Sequence, residues 1–80
     1  MRVIGSIPHP SIGITVFSMN DKFIVKLEAG PMEQIYKFSA EEVKGLSDVQ
    51  AMLDEDFMKK AHERFNQMFL DMKAGIGKIK

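Results

Sequence analysis

Residues 12–29 read IGITVFSMNDKFIVKLEA, and the fold turns on how this stretch pairs with itself. In the first half, Ile12, Ile14 and Val16 alternate with Thr15, Phe17 and Met19. In the second, Phe23, Val25 and Leu27 alternate with Lys22, Ile24, Lys26 and Glu28. A period of two is the signature of strands with one buried face. Asn20 and Asp21 lie between the halves, and both tolerate the positive φ that a tight hairpin loop demands. A hairpin closed there sets Val16 opposite Val25 and Ile14 opposite Leu27, with Phe17 opposite Ile24 on the reverse face. The expected strands are 12–19 and 22–29.

Outward from this hairpin, Gly30 and Pro31 punctuate the chain, and QIYKFS supplies a third strand near 33–38. A connection of even length puts Tyr36 and Phe38 on the Val25 and Leu27 face. An odd one would put Ile35 and Lys37 there, a poorer core. Upstream, Ile7-Pro8-His9-Pro10 reads as a stiff extended bend, because each proline fixes its own φ and biases the preceding residue towards extended geometry. Residues 1–10 are therefore expected to be extended, with residues 2–7 offering a fourth strand.

After Phe38 the period changes. SAEE (Ser39 to Glu42) and SDVQ (Ser47 to Gln50) both have capping-box spacing, and Gly45 separates them. The first reads as a single turn. The second opens a short helix that carries Val49, Met52 and Leu53 on one face. A long helix follows near 55–74, started by Asp54, Glu55 and Asp56 and stopped by Gly75. On it Phe57, Met58, Ala61, Phe65, Met68, Phe69 and Met72 fall within an arc of about 120°. Leu70 lies on the polar side. Glu55 with Lys59 and Asp56 with Lys60 are i, i+4 pairs in the favourable orientation. Residues 75–80, GIGKIK, are expected to be a frayed tail. The whole is an α+β domain over 1–80: a three- to four-stranded antiparallel meander, a short helix, and a long C-terminal amphipathic helix packed on one face.

The composition narrows function mostly by exclusion. The chain has 80 residues, 45% hydrophobic and 28% charged, which is ordinary for one folded domain. It holds no cysteine, so disulfides, a thiol nucleophile and zinc–thiolate sites are out. Eleven basic and eleven acidic residues cancel, and no global field draws in nucleic acid or an anionic membrane. Acids gather in 41–56 and bases in 57–80, a placement that suits a helix macrodipole. No stretch reads as a signal peptide or a membrane span, and the expected location is the cytoplasm. Four of the methionines, Met52, Met58, Met68 and Met72, share the apolar helix faces and read as gap-filling core.

Chemistry is hard to find. His9 and His62 have no companions at metal-ligand spacing. The serines have local roles, at caps or beside turns. GIGK near the C-terminus lacks both the spacing and the following helix of a phosphate loop. The expectation is a non-catalytic chain with no cofactor, no metal and no small-molecule substrate.

One surface remains. With the helix stripe on the Val25, Leu27, Tyr36 and Phe38 side, the reverse sheet face shows Phe17, Met19, Ile24 and Ile35 among Lys22, Lys26 and Lys37. The leading reading is a protein interface, including a homodimer. One alternative is a nucleic-acid surface, with lysines on phosphates and Phe17 under a base. The other is a face that the C-terminal elements fold over and close, leaving no open binding face.

Overall fold

The computed structural model describes residues 2–80. Its elements are β1 (Arg2–Ile7), β2 (Gly13–Met19), β3 (Lys22–Ala29), β4 (Met32–Ser39), α1 (Leu46–Met52) and α2 (Glu55–Ile79). The strands form one four-stranded antiparallel sheet in the order β1-β2-β3-β4. This is the expected α+β meander, and the offered fourth strand at 2–7 is part of it. The third expected strand is one residue longer at each end.

Turn chemistry explains the register. Asn20 and Asp21 sit at φ 47° and 61°, so both loop residues take the left-handed conformation of a tight hairpin turn. The pairing that results is Ile14 with Leu27, Val16 with Val25 and Phe17 with Ile24. At the next turn Gly30 takes φ 60°, and Pro31 completes a connection of even length from Ala29 to Met32. Val25 therefore faces Tyr36, and Phe23 faces Phe38. β1 is less regular: its register on β2 shifts between Val3 and Gly5. The bulge turns Ile4 towards the core beside Gly5 and leaves Val3 on the opposite face, 59% exposed.

Ile12, Ile14, Val16, Val25 and Leu27 meet Val43, Val49, Leu53, Met58, Ala61 and Phe65 in a single core. Leu27, Val16, Val25 and Val49 are wholly enclosed. Each such side chain contributes about 1.5–3 kcal/mol relative to exposure. Both helices lie on this one side of the sheet. At Gly5 the missing side chain lets Leu46 of α1 come down onto β1: a Cβ there would meet Leu46 Cδ2 at 2.8 Å.

Local capping departs from expectation in one place. Ser39 and Glu42 do form the reciprocal box, with Ser39 N–H donating to Glu42 Oε1 at 3.0 Å and Glu42 N–H to Ser39 Oγ at 3.3 Å. It closes a single turn. Ser47, by contrast, does not cap α1. The helix starts two residues earlier than a Ser47 cap would give, at Leu46, with Gly45 as N-cap and no side-chain bond. Asp48 instead accepts from the Lys44 N–H at 2.9 Å, bracing the segment before the helix. Asp54 caps α2 as expected, accepting from Phe57 N–H at 2.8 Å. Of the two i, i+4 ion pairs, Asp56–Lys60 forms at 3.1 Å, while Glu55–Lys59 is not made among the described residues.

The expected stop at Gly75 is not where α2 ends. The helix continues through Gly75 and Gly77 to Ile79, and the frayed tail is a helical turn and more. A glycine ends a helix when the chain must turn back, with its φ positive. Neither glycine has positive φ, and nothing lies within 4 Å of where their Cβ atoms would be. With no packed element to reach, the backbone continues its own hydrogen-bond ladder. The 25 residues of α2 span about 37 Å, whereas an eight-residue strand spans about 26 Å. The molecule is accordingly elongated, 45 × 26 × 18 Å, with a radius of gyration of 14.4 Å. A compact chain of this length would have about 12 Å. Phe69 and Met72, assigned to the buried stripe by periodicity, lie beyond the core cluster; Phe69 is 43% exposed and Ile76 and Ile79 are exposed beyond it.

Candidate interaction face

The side of the sheet away from the helices is laid out in rows by strand register. Val3, Phe17, Ile24 and Lys37 form the middle row. Ser6, Thr15, Lys26 and Ile35 form the next, and Gly13, Glu28 and Glu33 the one beyond it. Met19, Lys22 and Ser39 lie across the other end. Phe17, Met19, Ile24, Ile35, Lys22, Lys26 and Lys37 thus share one face, because the register places them there.

Neither helix covers this face. Ile24 is buried, yet it stands outside the core cluster and is enclosed by its own neighbours on the sheet. Ile35, Val3 and Met19 are exposed around it. The alternative in which C-terminal elements close the face does not occur: α1 and α2 both pack on the opposite side.

The three lysines differ. Lys22 and Lys37 are exposed and make no ion pair among the described residues. Lys26 lies between Glu28 Oε1 at 3.2 Å and Glu33 Oε2 at 3.5 Å. Its ammonium also stands 5.5 Å from the centre of the Phe17 ring. The hydrogen bond to Glu28 raises its pKa above the ordinary lysine value, partial desolvation opposes that, and Glu33 adds to the rise. The two glutamates escaped the sequence reading of this face. Glu28 and Glu33 fall on this side of the expected strands 22–29 and 33–38, but that reading names only the apolar residues and the lysines.

On the helix side, Gln34 falls within the expected third strand, but that reading gives it no role. It holds a position opposite Leu27, and its amide ties β4 to α2. Nε2 donates to the Ala61 carbonyl at 3.0 Å and lies 4.0 Å from Met68 Sδ, while Oε1 accepts from Arg64 Nε at 3.0 Å. Arg64 also donates to the Tyr36 hydroxyl at 2.8 Å. Phe57 meets the Tyr36 ring edge-on at 5.5 Å. These contacts orient α2 so that it runs back along β4, from Tyr36 towards Gln34.

The histidine of the proline bend has a local partner. His9 Nδ1 accepts from the N–H groups of Ser11 at 3.2 Å and Ile12 at 3.1 Å, so the ring proton rests on Nε2. The imidazole thus supplies one acceptor shared by two backbone N–H groups of the bend. His62 is exposed on α2. Among the described residues no three of the histidines and acids converge as metal ligands, and no side-chain nitrogen or oxygen is buried without a partner. Among the described residues no helix is long and apolar enough to cross a membrane. No protein-family model matches this chain, and no curated protein or solved structure resembles it significantly.

Proposed function

We propose that the chain is a small non-catalytic protein-interaction module whose open sheet face makes the contact. The observation that carries this reading is the uncovered row of Val3, Phe17 and Ile24, flanked by exposed Met19 and Ile35. An apolar centre with a polar margin is the anatomy of a binding patch. The partner is a protein surface that offers apolar side chains to Phe17 and Ile24, with acidic groups towards Lys22 and Lys37.

The charge pattern supports a protein partner over nucleic acid. Lys26, the cation nearest Phe17, is held by Glu28 and Glu33 on the same face. Those carboxylates would repel a phosphate backbone passing over the aromatic ring. The cytoplasm is the location proposed for this role.

The test is cross-linking in the source cell, with the wild type compared against Val3→Lys/Phe17→Lys. Both changes lie far from the helices, so the circular dichroism spectrum should be retained while the cross-linked partner is lost. A fluorescence titration with a mixed-sequence oligonucleotide runs beside it. Tight binding at physiological salt, weakening steeply as salt rises, would replace the protein reading with the nucleic-acid one.

A further inference from the structure

The two borders of the sheet are built differently. β1 carries a bulge at Val3–Gly5 and runs into Pro8 and Pro10, features that prevent another strand from pairing along it. β4 has eight residues with no bulge and no proline, and among the described residues no strand lies beyond it. Its hydrogen-bonding phase is fixed by one contact. Ala40 N–H donates to the Asp21 carbonyl at 3.0 Å, around the Lys22–Ser39 pair. In an antiparallel ladder this means even-numbered residues of β4 bond to β3. Glu33, Ile35 and Lys37 therefore turn their N–H and C=O groups to the free border. All three are exposed.

We infer that two copies of the chain pair through β4, antiparallel and centred on Ile35, to form a continuous eight-stranded sheet. A two-fold axis at Ile35 sets Ile35 against its symmetry mate and Glu33 against Lys37 of the other copy, twice. On the helix side Gln34 meets Tyr36 and Met32 meets Phe38, polar with polar and apolar with apolar. Because every outward-facing residue meets another, each such pair exchanges two backbone hydrogen bonds. Charge selects this register. Centring on Gln34 or Tyr36 keeps the faces aligned but removes Glu33 from Lys37 and leaves both without an opposite charge across the border. Burial of Ile35, 52% exposed in the single chain, adds an apolar contact at the centre. The occupant is a second copy, since the strand is its own complement. This pairing goes beyond the open-face reading and does not rest on it.

Sedimentation over a dilution series gives the answer. The wild type should sediment as a species of about 18 kDa, twice the 9.1 kDa chain, and dissociate on dilution. Ile35→Pro removes an outward N–H while costing β3 no bond, and should give a folded monomer. Lys37→Glu sets carboxylates against each other at two places and should also give a monomer; this surface change keeps the test open should the proline variant not fold. Glu33→Lys/Lys37→Glu restores opposite charges and should bring the dimer back. A monomeric wild type overturns the inference, as does a dimer that survives in folded Ile35→Pro and Lys37→Glu. Val3→Lys/Phe17→Lys should leave the dimer intact, because it alters the open face far from β4. If that variant alone dissociates the dimer, self-association belongs to the open face and the β4 pairing is wrong.

Discussion

Gln34 Nε2 donates to the main-chain carbonyl of Ala61 at 3.0 Å, so a strand side chain is bonded into the backbone of a helix. Ala61 is wholly buried, and its small side chain is what lets α2 come close enough for this bond. The same amide accepts from Arg64 through its oxygen, which fixes which way round it sits. Gln34→Leu keeps the bulk and deletes both bonds. It should lower stability by about 1–2 kcal/mol, the net worth of lost and partly buried hydrogen bonds. Urea unfolding measures it. Arg64→Met, at an exposed position, should cost less than Gln34→Leu, and a reversal of that order would contradict the arrangement.

Gly5 and Leu46 give a second prediction. Gly5→Val places methyl groups where Leu46 lies, and overpacking of this kind costs about 1–3 kcal/mol. Trimming the partner should relieve part of it. In the double variant Gly5→Val/Leu46→Ala the loss should be smaller than the sum of the two single losses. Additive losses would mean the two positions do not touch in solution.

The caps of the two helices should respond unequally. Asp54→Ala removes the acceptor from Phe57 N–H and should cost about 0.5–2 kcal/mol, with Asp54→Ser recovering most of it. Ser47→Ala should be within about 0.5 kcal/mol of wild type, because Ser47 caps nothing. Thermal unfolding of the three variants side by side makes the comparison.

Gly75 and Gly77 lie in open helix, each about 0.8–1.0 kcal/mol less favourable there than alanine. Gly75→Ala/Gly77→Ala should deepen the helical circular dichroism signal at low temperature. In the dilute single chain it should leave the midpoint of thermal unfolding almost unmoved, since the overhanging turns do not touch the core. Amide exchange read residue by residue should show the same boundary: strong protection across Met58–Phe65, little beyond Met72.

What could be read from the residues follows from how local each determinant is. The hairpin at Asn20–Asp21 was legible because alternation and turn chemistry both act within a few residues and agree on one register. The strand at 2–7 was only half visible, since the bulge at Ile4 breaks its alternation and Gly5 has no side chain to count. The open face was legible as a set of seven residues, but its electrostatics were not. Glu28 stands beside Lys26 on β3, but Glu33 joins them only when β4 pairs with β3, and so a lysine that looked free is held between two carboxylates. The end of α2 was misplaced for the opposite reason. Gly75 is a stop signal only where a neighbouring element pulls the chain round, and here there is none. Likewise Ser47 matched a capping pattern, but with Asp48 bonded back to Lys44 the helix begins two residues earlier, capped at Gly45.

The order of strands in the sheet is the order of strands in the chain, and two of the three connections are tight turns. Each ladder can then close from its own loop, with little chain to gather before the next contact forms. The sheet is thus made of local contacts while the helix–sheet contacts are long-range, which places the chain between all-helical and all-β folders in rate. The helices have the longer search, since α2 must find β4 from the far side of residues 40–54. Mutations at Asn20, Asp21 or Gly30 should therefore slow folding, whereas those at Gln34 and Ala61 should mainly speed unfolding. The sheet is a zipper with its teeth in sequence order, and the long helix is the latch that falls last.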